Sequence, residues 1–285
     1  MSVVMPVLDA AATLGAQLDA LAGQDYEADW EVVIADNGST DGSQEVAKKW
    51  AQTRPNVRLI DASSQGRGPN HARNAGANAA TGDFLAFCDA DDVVSPSWLS
   101  ALADAARGAD VVAGRLDVQE LNERMVIEWN ETLPFDLPHP AFEFMPFVST
   151  ANCGIWVHAF REIDGFREEI TTAEDKELAW RAQLGGQRLV RAPDAVVSYR
   201  YRSSVRATAS QHFRYGLAYP ALYRLFREHG FARPSLRQTV AAWAWLIVCL
   251  PTLLWSVRAR GLWATQAGLR AGYVLGSIRH RVMFL

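Results

Sequence analysis

The chain has 285 residues, 49% of them apolar and 21% charged, with a formal net charge of −4. That balance excludes a disordered polymer for most of its length and allows one large domain, or one domain plus an extension. Three widely spaced cysteines, Cys88, Cys153 and Cys249, make neither a disulfide framework nor a four-ligand zinc site, so a reduced cytosolic setting is expected. No basic leader with a cleavage site precedes the apolar opening, so no signal peptide is expected. The charge is unevenly spread. Residues 231–285 hold seven arginines, no acid and four of the ten tryptophans, leaving 21 bases against 32 acids in residues 1–230. Lysine occurs only at 48, 49 and 176, the bias of a GC-rich bacterial genome.

In chain order, strands are expected at Ser2–Val7, Trp30–Ala35, Val57–Ile60, Asp83–Cys88 and Asp110–Leu116. Helical spacing of Leu14, Leu18 and Leu21 marks Ala11–Ala22, and a Ser/Thr/Asp cluster opens a helix over Asp41–Ala51. Ser95-Pro96 reads as an N-cap followed by proline at the first helical position. This alternation predicts a mostly parallel, doubly wound sheet, with ligands beyond the strands' C-terminal ends. Residues 119–150 break the pattern with Pro134, Pro138, Pro140 and Pro146, as a lid or functional loop would. A helix at Glu174–Leu184 and a strand at Ala195–Tyr201 follow.

Thr239–Trp255 is uncharged for 17 residues and interrupted only by Pro251. Spanning a bilayer takes roughly 20 residues. With its tryptophans and flanking arginines, the run fits a membrane interface, a re-entrant hairpin or one marginal span; a buried helix of a soluble dimer would also explain it.

The chemistry concentrates in Phe87-Cys88-Asp89-Ala90-Asp91-Asp92. Three carboxylates at a strand end repel one another, and a hard divalent cation such as Mg2+ or Mn2+ relieves them; a turn plus helix cap would use the same residues. Two further runs accompany it: Ile34-Ala35-Asp36-Asn37-Gly38-Ser39-Thr40-Asp41-Gly42-Ser43, and Gly66-Arg67-Gly68-Pro69-Asn70-His71-Ala72-Arg73-Asn74-Ala75-Gly76.

Together, over residues 1–205, these motifs resemble family 2 glycosyltransferases of bacterial, membrane-associated type. The resemblance implies an α/β fold, the GT-A nucleotide-diphosphosugar fold with a Rossmann-like, mostly parallel sheet. It also implies that Pro6, Val7, Leu8, Asp36, Arg73 and Asp89 hold the nucleotide, and that Asp91 with Asp89 holds the metal. For Arg73, a surface salt bridge is the plainer alternative. In the run Thr171-Thr172-Ala173-Glu174-Asp175, the resemblance makes Asp175 the catalytic base beside Glu174, although acids at a helix start also serve its dipole. Trp180 on the same segment is an acceptor candidate. Gln211, Arg214 and Tyr215 are like the Gln-x-x-Arg-Trp acceptor element of processive members, with Tyr in place of Trp; an amphipathic helix would also explain them. Two departures stand out. Val196-Val197-Ser198-Tyr199 lacks the family's late metal-binding histidine, leaving His212 as a candidate, and Ala10 replaces a glutamate common after the first-strand motif.

The expected organisation is a catalytic domain over 1–205, divided into a nucleotide half at 1–118 and an acceptor half at 119–205, and a helical extension over 206–285. The expected activity is inverting transfer from a nucleotide-diphosphosugar, UDP-sugar favoured, to a glycan or lipid-linked acceptor at the cytoplasmic face of the membrane. The alternative is a non-catalytic nucleotide-sugar-binding component of a glycan-assembly complex. A nucleotidyltransferase would need a glycine-rich basic loop after the first strand, and a dehydrogenase a Gly-x-Gly-x-x-Gly turn; neither occurs. A body of net −11 argues against nucleic acid.

Overall fold

In the computed structural model, residues 1–130 and 144–284 are described. The elements run β1 (Ser2–Val7), α1 (Leu14–Ala22), β2 (Glu31–Asp36), α2 (Ser43–Thr53), β3 (Val57–Asp61), α3 (Pro69–Ala79) and β4 (Phe84–Cys88). Next come β5 (Val93–Val94), α4 (Trp98–Ala106), β6 (Val111–Asp117), α5 (Arg124–Trp129), β7 (Asn152–Trp156), α6 (Val157–Glu162), α7 (Glu174–Leu184) and β8 (Leu189–Ser198). Three long helices close the chain: α8 (Val205–Phe226), α9 (Leu236–Val248) and α10 (Val257–His280).

The eight strands form one sheet in the order β3-β2-β1-β4-β7-β6-β8-β5. Its first four are mutually parallel, as the βα alternation requires. The rest is mixed, because β7 enters antiparallel between β4 and β6. Side chains alternate across the pleat: Val3, Met5 and Val7 pack with Leu14, Leu18, Leu21 and Leu99 on one face. On the other, Val4, Leu85 and Phe87 pack with Ile155, Phe160 and Leu178.

Three sequence expectations shift. The helix after Ser95-Pro96 begins at Trp98 with Ser97 as its cap, because Leu99 N donates to Gln24 Oε1 (2.9 Å) instead of Ser95 O and the Pro96 carbonyl accepts Asp25 N (3.0 Å). The strand expected from Ala195 begins at Leu189 instead. Pro193 and Asp194 sit in a bulge where pairing jumps from Gly114–Ala192 to Arg115–Val196. Pro193 O accepts a bond from Arg115 Nε at 3.1 Å. Third, β7 escapes the sequence pattern because Gly154 interrupts it; there the Phe84 ring leaves no room for a Cβ.

The chain divides into two compact units, residues 1–117 with 146–199, and residues 118–145 with 200–285. The irregular stretch after residue 118 therefore groups with the C-terminal helices, where the sequence suggested an acceptor half of the catalytic domain. It contains α5; Pro134, Pro138 and Pro140 lie outside the described residues. In this second unit α8 and α10 pack backbone to backbone. A methyl on Gly216, Gly268 or Gly272 would collide with the carbonyl oxygens of Leu269, Ala209 or Phe213, respectively. The apolar run 239–255 is broken at Cys249–Leu250, α9 ending and a 3-10 turn over Leu250–Leu254 taking over at Pro251. Among the described residues no helix is long and apolar enough to cross a membrane.

Candidate active site

The parallel strands β1, β2 and β4 end side by side at Val7, Asp36 and Cys88. Strand order reverses about β1, so their C-terminal ends form the switch-point crevice of a doubly wound sheet. The loops leaving β1 and β2 are stitched together. Asp9, in a left-handed conformation (φ 51°), accepts Thr40 N at 2.8 Å, and Ala10 N and Ala11 N donate to Ser43 Oγ and Asp41 Oδ2 at 2.8 and 2.9 Å. Of the residues expected to hold the nucleotide here, Leu8 is 54% exposed, while Pro6 is half-buried and Val7 buried. Asp36 is 3% exposed, accepting bonds from Gly38 N, Ser39 N and Gln44 Nε2, the last at 2.8 Å. Its carboxylate thus shapes the turn after β2.

Beyond β4, carboxylate oxygens of Asp89, Asp91 and Asp92 lie within 4.8 Å of one another. Hard oxygen donors at this spacing suit Mg2+ or Mn2+. A residue missed by motif reading holds this turn. Gln17 of α1, fully buried, donates to Asp89 O and accepts from Val94 N, both at 3.0 Å. Its signal was available, since a lone amide falls in register with Leu14, Leu18 and Leu21.

Arg73 joins the two acidic motifs. From α3 its Nη2 reaches Asp89 Oδ1 at 3.0 Å, and its Nη1 reaches Glu174 Oε1 at 3.1 Å and Asn70 Oδ1 at 3.3 Å. Burial opposes its charge, but Asp89 and Glu174 hold its pKa above the ordinary arginine value. Burial pushes the Glu174 carboxyl up, Arg73 pulls it down and Asp175 pushes it up again; the net direction is upward. Asp175 keeps 23% of its side chain exposed and accepts Lys176 N at 2.7 Å.

The loop leading to these acids is anchored on α3 by two asparagines. Asn70 Nδ2 donates to Arg167 O (3.0 Å) and Ile170 O (2.6 Å), and Asn74 exchanges bonds with the Phe166 backbone at 2.8 and 2.9 Å. Ala173, left-handed at φ 62°, then turns the chain into α7. Glu177, 1% exposed, is clamped by Arg181 (2.7 Å) and Arg167 (3.3 Å).

Trp180 needs correction as an acceptor residue: it is 1% exposed, and a ring enclosed by the core offers no face to a sugar. Its place on α7 follows from helical phase, three residues past the buried Glu177. Gln211, Arg214 and Tyr215 lie on α8 in the second unit, Arg214 exposed and the other two half-buried. His212, also on α8, bonds through Nδ1 to Thr208 O at 3.0 Å and packs edge-on against Tyr215.

Fold and site together define a switch-point α/β protein whose aspartate cluster suits a metal-bound diphosphate, with a second acid pair tied to it. Residues 2–164 match Glycosyl transferase family 2, and residues 84–275 match Glycosyl transferase family group 2. The chain belongs to glycosyl transferase family 2. It is 25% identical over 250 residues to glycosyltransferase AglE of Haloferax volcanii, covering 87% of this chain and 80% of that protein. It is 36% identical over 186 residues to succinoglycan biosynthesis protein ExoO of Rhizobium meliloti, covering 60% and 52%. Against the uncharacterised glycosyltransferase YibD of Escherichia coli the identity is 37% over 122 residues, 43% of this chain and 33% of that one. The chain thus spans about a third of YibD and about half of ExoO. Among solved structures, a mannosyltransferase from Pyrobaculum calidifontis in complex with GDP-Man and Mn2+ superposes with TM-score 0.70 at 21% identity, covering 96% of this chain and 86% of that one. S. aureus TarS with UDP-GlcNAc gives 0.53 at 19%, covering 99% and 92%. At such identities the likeness concerns the fold, which is GT-A.

Proposed function

We propose that this protein transfers a sugar from a nucleotide-diphosphosugar to an acceptor hydroxyl with inversion. The observation that carries the reading is the Arg73 bridge, which brings the Asp89–Asp92 turn and the Glu174–Asp175 pair to one place. Asp175, the more accessible acid, takes the proton from the acceptor hydroxyl. The acceptor oxygen then bonds to the anomeric carbon from the side opposite the diphosphate, and the bond to the diphosphate oxygen breaks with its electron pair leaving on the nucleotide. Glu174 holds Arg73 across the site. Asp89, Asp91 and Asp92 would hold Mg2+ or Mn2+, which neutralises charge on the departing diphosphate. Leu8 and the loop built on Asp36 offer the surface for the base, and a UDP-sugar is the expected donor.

The acceptor is assigned to a glycan or lipid-linked glycan at the cytoplasmic face of the membrane. ExoO, a succinoglycan biosynthesis protein, supports a glycan acceptor by analogy. Calorimetric titration with UDP, GDP and dTDP, with and without Mn2+, tests the donor site. Metal-dependent binding of one nucleotide, weakened at least about tenfold in Asp91→Asn, supports the reading. Folded protein that binds none of them overturns it. Binding of a nucleotide-sugar without turnover on any acceptor would favour the non-catalytic alternative.

A further inference from the structure

The second unit carries an apolar stripe at regular helical spacing. On α9, Leu236, Val240, Trp243 and Ile247 recur at i, i+4, i+7 and i+11 and are 79%, 58%, 40% and 67% exposed. The helix packs through another side: Leu246 is 4% exposed and its carbonyl accepts Trp263 Nε1 of α10 at 2.9 Å. The stripe therefore faces away from its own unit's core, and the following turn extends it with Leu254 and Trp255, 73% and 77% exposed.

Charge distinguishes what covers it. Arg233 precedes the stripe, Arg237 directly follows its first residue, and Arg258 and Arg260 lie beyond it, all exposed, in a tail without a single acid. Arg258 is held by the Glu128 carboxylate at 2.8 Å and Arg260 Nε by the Leu253 carbonyl at 3.0 Å. Apolar and indole side chains bracketed by arginine fit the boundary of an anionic bilayer, where rings sit at headgroup level and guanidinium groups meet phosphate. Depth follows from length. The 13 residues of α9 measure ~20 Å, short of a ~30 Å hydrocarbon core, and Pro251 ends the run.

We infer that α9 and the Leu250–Leu254 turn form an interfacial anchor that lies in the plane of an anionic membrane and does not cross it. The anchor specifies the membrane part of the proposed function and rests on it only for its biological meaning, since lipid binding needs no turnover.

Co-sedimentation of the full chain with phosphatidylcholine vesicles, with and without phosphatidylglycerol, tests this. Wild type is expected to pellet with anionic vesicles and to be released as salt rises. Val240→Ser/Ile247→Ser, at exposed positions and with an unchanged thermal melt, is expected to lower the partition coefficient by roughly tenfold or more. Arg233→Gln/Arg237→Gln is expected to lose the preference for anionic lipid, a second readout independent of the first variant's folding. Wild type left in the supernatant, equal binding to neutral vesicles, or a stripe variant that binds like wild type overturns the anchor. So does a wild-type dimer that the stripe variant dissolves while neither protein binds vesicles, which assigns the stripe to a second copy. Nucleotide titration on the same samples separates the two readings: nucleotide binding without lipid binding sinks only the anchor, and lipid binding without nucleotide binding sinks only the transferase.

Discussion

Arg73 makes two ion pairs with 5% of its side chain exposed. Removing one partner from a buried charge cluster costs far more than the pairing itself gains, because the remaining charges stay desolvated. Arg73→Met is therefore expected to lose about 3–5 kcal/mol of unfolding free energy, read by urea denaturation. Arg73→Lys keeps the charge but not the fork that spans Asp89 and Glu174, so nucleotide binding should weaken while the fold survives. Asp175→Asn makes the complementary prediction. It should lower kcat by roughly 10²–10⁴-fold with little change in KM or in the melting temperature, because Asp175 is partly exposed and acts only on the reacting proton. At this scale much of the site was legible, since Asp89, Asp91, Glu174 and Asp175 sit in dense acidic runs. Gln17 showed only as a lone amide in register with Leu14, Leu18 and Leu21, and Asn70 and Asn74 stood in the Arg73 run without any sign of the backbone carbonyls they brace.

Among the elements, the α8–α10 pair depends on absent side chains. Gly272 meets Phe213 O and the Gly216 backbone, so two helices approach closer than any Cβ permits. Gly272→Leu is expected to cost about 1–3 kcal/mol or more, with loss of helicity measured by circular dichroism on heating. Ala271→Leu, one residue away on the exposed side of the same helix, should change the melt little. Such spacing was visible in the sequence as Gly268, Gly272 and Gly276, but which helix it met was not. The sheet shows the same division. Every strand of the parallel half was readable within one or two residues, since each is a short apolar run, β-branched in β1 to β3 and aromatic in β4. The antiparallel β7 and the bulge at Pro193 were hidden, one by its glycine and the other by a proline that usually marks a turn.

For the molecule as a whole, acid stability has an identifiable source. Burial opposes ionisation of Glu31, but bonds from Thr81 Oγ1 and N, Ser2 Oγ and Arg58 hold its pKa down to about 2, against 4.5 for the free group. These bonds tie the starts of β1 and β2 to the turn before β4. A depressed carboxylate pKa contributes stability that is fully present above about pH 4.5 and is lost as pH falls towards 2, because the unfolded chain takes up the proton first. Glu31→Gln should thus be less stable than wild type at neutral pH, with the gap closing between about pH 4.5 and pH 2 in urea titrations.

The sequence alone determined the α/β class, the acids at the strand ends, the acid-free arginine tail and the family the motifs resemble. Each of these is a property of neighbours along the chain: alternation, helical phase, or a run of like charge. Only the tertiary structure decided that Arg73 bridges Asp89 and Glu174, the latter 101 residues away. It alone buried Trp180 and left Leu236, Val240, Trp243 and Ile247 in the open. Those outcomes depend on which surfaces meet when the chain closes on itself. Helical phase names a face but not its partner, and an apolar stripe reads the same whether a core or a bilayer covers it.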